Sequence, residues 1–164
     1  MALATKTALP GRYLSFSLGK EIYAVPIGSV WEINGITEIT EVPQTFPFVK
    51  GVLNLRGKVI PVIDLRLKFG MQELPYGKQT CVIIMDTRSM QIGVIVDTVN
   101  EVLDLLKEDI EPKPDLGNPI KTHFISGMGK FQNHLLILLN IDRVLSIDEL
   151  TDLNRSHNPY PRAS

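Results

Sequence analysis

Apolar positions along this chain fall in short runs separated by turn residues, the pattern of strands rather than helices. Tyr13–Leu18 alternates Leu14, Phe16 and Leu18 with Tyr13, Ser15 and Ser17, and Gly19-Lys20-Glu21 turns it into a second run over Ile22–Ile27. Val49–Leu55 and Lys58–Asp64 flank Arg56-Gly57, a hairpin signal because Gly takes positive φ at little cost. Pro61 offers no ladder donor, which predicts an edge strand or a bulge there. Cys81–Met85 and Ile92–Val96 pair around Asp86–Gln91, and Leu135–Leu139 is almost unbroken, as in a strand buried on both faces. Helical signals are brief. One turn over 64–69 is stopped by Gly70, and Ser146-Ile147-Asp148-Glu149 has capping-box spacing that opens a helix running to about Leu153.

The pattern also repeats. Phe48-Val49-Lys50-Gly51-Val52 returns 76 positions later as Phe124-Ile125-Ser126-Gly127-Met128, and Val59–Leu65 returns at the same offset as Leu135–Ile141. Upstream, Val25–Ile33 matches Val94–Val102 at an offset of 69. The difference is a seven-residue insertion within the Pro/Gly/Asn-rich piece 112–121. Two blocks in the same order around one insertion indicate two similar halves. Many short strands in two sets predict an all-β chain, and a small sheet hides its edges best by closing, so two small barrels are expected. The turn Asn54-Leu55-Arg56-Gly57 does not repeat; its counterpart is Lys130-Phe131-Gln132-Asn133. Duplication keeps residues that build a fold and lets residues with a task diverge, which singles out Arg56.

With 164 residues the chain suits one domain or two small modules sharing a core, burying about two-thirds of its unfolded surface. Lys plus Arg total 17 and Asp plus Glu 18, a net charge of −1, which argues against a polyphosphate partner. The one cysteine, Cys81, excludes an internal disulfide and fits a reducing compartment. The N-terminal residues lack a secretory pattern and the apolar runs are too short to span a bilayer, so a cytoplasmic protein is expected. The polar or Pro-bearing tails 1–11 and 154–164 are expected to be loose.

Catalytic chemistry finds no support. His123, His134 and His157 lack metal spacing, Cys81 stands in an apolar strand, and Asp64 and Asp142 sit where turn capping is the ordinary role. Gly127-Met128-Gly129-Lys130 lacks phosphate-loop spacing. Trp31 and Met128 read as core or rim packing. Neither an enzymatic activity nor a cofactor or metal is expected.

Phe48–Gly57 followed by Val59–Arg66, with Asn-Leu-Arg-Gly in the turn, closely resembles the signature of the CheW family, and the resemblance runs from about Tyr13 to Leu150. It implies two five-stranded SH3/OB-like β-barrels of related topology and a short C-terminal helix. The single domain over 12–153 would divide at about 12–75 and 76–153, with strands exchanged across the boundary. It implies a non-catalytic adaptor that couples chemoreceptors to the histidine kinase CheA. The partners would be the receptor's membrane-distal cytoplasmic tip, the regulatory domain of CheA, and other copies of itself in receptor arrays. The receptor-side positions carried over are Val30, Glu32, Ile33, Gly51, Asn54, Arg56, Val99 and Val102; no kinase-side residue is carried over. Val30 and Ile33 are the repeat equivalents of Val99 and Val102, so each half would lend an apolar pair to one groove for an amphipathic helical hairpin. Arg56 would either shape the groove through a carboxylate such as Glu32 or touch the receptor. The alternatives are a coupling protein of another chemosensory pathway, such as surface motility, and more remotely an oligonucleotide-binding barrel, which the charge and the few aromatics disfavour.

Overall fold

The computed structural model describes residues 8–43, 45–113, 123–146 and 149. Its strands are β1 (Gly11–Leu18), β2 (Glu21–Pro26), β3 (Val30–Gly35), β4 (Val49–Leu55), β5 (Lys58–Asp64), β6 (Cys81–Asp86), β7 (Gln91–Val96), β8 (Thr98–Leu105), β9 (Ile110–Glu111), β10 (Ile125–Phe131) and β11 (His134–Leu139), with a one-turn helix α1 (Leu65–Lys68) after β5. Among the described residues no helix is long and apolar enough to cross a membrane.

The strands form two sheets, as the short-run pattern predicts. One is ordered β3-β6-β7-β5-β4 and the other β8-β1-β2-β11-β10-β9. Apart from the two-residue β9 they match position for position: an edge strand, a hairpin, then a second hairpin joined in parallel, β5 to β7 in one sheet and β11 to β2 in the other. Each repeat therefore serves both sheets. β1–β2 sit in one sheet while β3, β4 and β5 of the same repeat build the other, and the second repeat does the reverse with β6–β7 against β8, β10 and β11. The sheets also curl until their edges approach. β8 leads through the 3-10 turn Lys107–Asp109 into β9 at the opposite edge. In the other sheet Thr40, downstream of β3, exchanges both backbone hydrogen bonds with Val52 of β4 at 2.8 Å each.

Side chains alternate across a strand, and here both faces find a core. Along β6, Val82 and Ile84 enter a cluster inside their own sheet with Leu53, Ile60, Val62 and Ile95, while Ile83 and Met85 enter a cluster between the sheets. Along β2 and β11, Ala24, Leu136 and Leu138 pack inside the other sheet, and Tyr23, Val25 and Leu139 join the shared core. The continuous apolar run in β6 follows from this double burial. Leu135–Leu139 departs from expectation at its start: Leu135 is 58% exposed, because only β10 flanks it there and the ladder to β2 begins at Leu136.

The β4–β5 and β10–β11 hairpins share one register. Both slip at the same place, between Val49 and Gly51 and between Ile125 and Gly127, and Leu55↔Lys58 corresponds to Phe131↔His134. Gly51 has φ +143, and a Cβ there would lie 2.0 Å from the Thr40 carbonyl oxygen. Of the expected edge or bulge, Pro61 has the second nearby: it lies in an interior strand, one pair from the irregularity between Val49 and Gly51. Both backbone groups of its partner Val52 are spent on Thr40, so Val52↔Pro61 needs no donor from proline, and the ladder to β7 starts only at Val62. Ala8 donates to the Ser126 carbonyl at 3.0 Å and Gly11 opens β1, so residues 8–11 are tied to the fold, and the rest of the tail expected over 1–11 lies outside the described residues. The Ser146–Glu149 capping box forms, with Glu149 N–H on Ser146 Oγ at 3.1 Å and Ser146 N–H on Glu149 Oε1 at 2.8 Å. The helix body expected beyond it lies outside the described residues.

Arg56 and Gly57 have φ of +51 and +88, and the counterparts Gln132 and Asn133 have +50 and +67, the two-residue turn that matches strand twist. A Cβ at Gly57 would meet nothing within 4 Å, so substitution costs backbone strain alone. Gly57→Val is expected to lower stability by about 1–2 kcal/mol, whereas Gly57→Asn, the residue type the second copy uses, should unfold close to the parent in urea melts. Gly51→Ala meets a backbone oxygen as well as strain and should cost about 2 kcal/mol or more in the same measurement.

Candidate partner-binding surface

Residues three apart on a regular strand point to opposite faces. Val30 and Ile33 escape this because β3 carries a bulge. The pairing runs Val30↔Met85, then Glu32↔Ile84 and Ile33↔Ile83, leaving Trp31 as the extra residue. Partners across an antiparallel ladder share a face, and Ile83 and Met85 both belong to the core between the sheets. Val30 and Ile33 therefore stand on that face together. β8 repeats the device with Val99↔Phe16 and Val102↔Leu14 and a register slip between them, and Phe16 and Leu14 belong to the same core. Bulges orphan backbone groups from the ladder; at Glu101 the buried Ser15 hydroxyl takes both, donating to its carbonyl at 2.9 Å and accepting its N–H at 3.2 Å.

The two edge strands thus present matching apolar pairs at the rim of one core. Val30 and Val99 are half-buried against it, while Ile33 and Val102 are 42% and 49% exposed. Trp31, read from sequence as core or rim packing, is 59% exposed as the extra residue of the bulge. Only the bulge turns it outward, and no local pattern announces a bulge.

Glu32 takes the other face. It pairs with Ile84, which belongs to the sheet's own core, and its carboxylate stands where the sheet curls toward the β4–β5 turn. Arg56 Nη2 donates to Glu32 Oε1, and Asn34 Nδ2 donates to Oε2 at 2.9 Å. The guanidinium first and the amide second hold the Glu32 carboxyl below the usual carboxylate range, and the same bond raises Arg56. An ion pair thus bridges β3 and the hairpin at the opposite edge of the sheet. Asn54 is exposed and shapes that hairpin by accepting the Gly57 N–H at 2.8 Å. Gly51 is buried, and its backbone contact with Thr40 accounts for its identity. Among the eight sequence-selected residues, then, Val30, Ile33, Val99 and Val102 stand on the side of the core between the sheets, Glu32, Asn54 and Arg56 gather at the β4–β5 turn, and Gly51 is buried.

The acidic residues set aside as caps serve structural ends. Asp64 is buried, accepts the Leu67 N–H at 3.4 Å at the start of α1, and accepts the Tyr76 hydroxyl at 2.8 Å. Asp142 accepts the Arg88 N–H at 2.8 Å. The Cys81 thiol is half-buried against the Gln79 carbonyl at 3.4 Å.

A CheW-like domain is recognised over residues 12–149. The chemotaxis protein CheW of Klebsiella aerogenes is 39% identical over 153 residues, covering 90% of this chain and 92% of its own. The protein FrzA of Myxococcus xanthus is 30% identical over 145 residues, covering 88% and 91%. The crystal structure of the scaffolding protein TtCheW from Thermoanaerobacter tengcongensis superposes with a TM-score of 0.78 at 34% identity, covering 86% of this chain and 96% of that one. With its two matching sheets and these similarities over most of its length, the chain belongs to the CheW family, the non-catalytic scaffold proteins that couple chemoreceptors to the histidine kinase CheA in bacterial chemotaxis.

Proposed function

We propose that the apolar rim formed by Val30, Ile33, Val99 and Val102, flanked by Trp31, is where this chain grips the cytoplasmic tip of a chemoreceptor. The observation that carries the reading is the pair of equivalent bulges, which turn residues from both edge strands onto one face. A receptor tip is a helical hairpin, and a helix offers apolar side chains at i, i+3 and i+4 to such a strip. The Arg56–Glu32 ion pair borders the β3 side. Since Arg56 is already bonded to Glu32, the reading gives it the task of holding β3 and the β4–β5 turn in fixed relation, with its exposed guanidinium edge left for a receptor carboxylate. The regulatory domain of CheA, of the same fold class, would bind elsewhere on the molecule, and the assembly would sit in the cytoplasm at the receptor array.

Titration of a receptor cytoplasmic fragment against the full chain tests this. Val102→Glu places a charge in the strip and should weaken binding by about tenfold or more, with Ile33→Glu behaving alike. Arg56→Glu opposes Glu32 and should weaken it to a similar extent, while the thermal midpoint moves by no more than about 2 °C. Receptor affinity unchanged in all three variants would rule this surface out. Co-sedimentation of receptor fragments with CheA, with and without each variant, should show the same order in recruited kinase and in autophosphorylation.

A further inference from the structure

The chain crosses between the sheets twice ahead of the strands that carry the apolar rim, and the two crossings are built differently. The first, from β2 to β3, is the 3-10 turn Ile27–Ser29, in which no side chain makes a cap hydrogen bond. The second, from β7 to β8, is one residue, Asp97. Asp97 is tied on every side. Its N–H donates to the Ser17 carbonyl at 3.1 Å, and its Oδ2 accepts the Gly19 N–H at 2.8 Å. Arg66 grips both carboxylate oxygens, Nε on Oδ1 at 2.7 Å and Nη2 on Oδ2 at 2.6 Å. The Arg66 side chain is mostly buried and its Nη1 is held by the Gln72 carbonyl at 3.0 Å. Bidentate, partly desolvated pairs of this kind are stiff as well as strong.

The latch therefore joins the β1–β2 turn of one sheet, α1 at the end of the other sheet, and the first residue before β8. Its members have no like counterparts. Gly28 stands at the repeat position of Asp97, and Asp142 stands at that of Arg66 and reaches Arg88 instead. Two similar sheets thus close with one latched crossing and one plain one. The latched crossing leads directly into rim residues that the latch can steer: Val99 comes two positions after Asp97 and Val102 five.

We propose that Asp97, gripped by Arg66, is a positioning residue for partner binding: it fixes the direction in which β8 leaves the crossing, and with it the spacing between the Val99–Val102 pair and the Val30–Ile33 pair. The inference rests on the apolar rim being the receptor-binding surface. A receptor hairpin must meet both pairs at once, so an error in their spacing subtracts from affinity even where every contacting side chain is intact.

The experiment is a titration of the full chain with a receptor cytoplasmic fragment, at a temperature well below the melting point of every variant. Asp97→Ala and Asp97→Asn are compared with Asp104→Asn, which removes an exposed pair with Arg12 further along β8, and with Val102→Glu. Asp97→Ala is expected to weaken receptor binding by about tenfold, Asp97→Asn by less because it still accepts the Gly19 N–H, and Asp104→Asn not at all. Methyl spectra should show Val99 and Val102 shifted while Ile84 and Leu136, in the cores inside each sheet, stay in place. If Asp97→Ala does not fold, the Asn variant carries the comparison. A variant that melts earlier yet binds receptor like the parent has lost a structural tie only, and overturns the proposal. Normal binding by Val102→Glu instead overturns the underlying surface, and this inference with it.

Discussion

The central strands of each sheet are buried on both faces, and the rest of the molecule depends on how that burial is achieved. A curled sheet of five or six short strands fills its own interior, yet Ile83, Met85, Ile92, Val94 and Val96 on one sheet and Leu14, Phe16, Leu18, Tyr23 and Val25 on the other point outward from it. Each outward face is covered by the other, with Phe48, Leu65, Ile141 and Val144 from the connections filling the same core. Removing either would expose a contiguous apolar surface, which soluble proteins seldom tolerate unless a partner covers it. The exchange of hairpins between repeats ties the sheets covalently across the same interface. Where that core reaches its edge strands, at β3 and β8, cover thins, and Ile33 and Val102 stay partly exposed.

Much of this was legible in the sequence because it is local. Val49–Leu55 and Lys58–Asp64 begin and end where the pattern places them, since Arg56-Gly57 can hardly be anything but a tight turn and α1 is stopped by Gly70. The repeat offsets of 69 and 76 carry the correspondence of the strands without any knowledge of their pairing. Information that depends on long-range pairing was not legible. The β3 and β8 bulges exist only relative to β6 and β1, so the outward turn of Trp31 and the shared face of Val30 and Ile33 could not be read from alternation. Pro61 obeyed the chemistry of its missing donor beside a ladder irregularity in an interior strand, because a partner residue occupied with Thr40 satisfies proline as well as an edge does. The site residues came from the family resemblance, and geometry then sorted them: an apolar rim, an ion pair bordering it, and a glycine serving the backbone.

The two halves also show what duplication can vary. The hairpin turns keep the same positive φ values with Arg-Gly in one and Gln-Asn in the other, so backbone geometry is held while side-chain chemistry is free. At the bulge in β8 the orphaned Glu101 backbone groups are taken by Ser15; the residue equivalent to Ser15 in the second repeat, opposite the β3 bulge, is Ile84, which packs into a core. Similar folds are thus reached with different polar fittings. A cation beside Glu32 and a latch before β8 are differences of that kind.

The interleaving of the strands has a consequence for how the chain comes to exist. The sheet containing β3 to β7 is contiguous, so all of it has been synthesised by Val96. The β1–β2 hairpin is made first, yet its neighbours in the other sheet are β8 and β11, and the last of these ends at Leu139. While the ribosome works through the intervening residues, the earliest segment waits with two apolar faces and unpaired backbone on both sides, able to rest only against the sheet already formed. Sequence-distant pairing of this sort slows folding and lengthens exposure to aggregation. A half-finished chain therefore has most need of protection in its oldest residues.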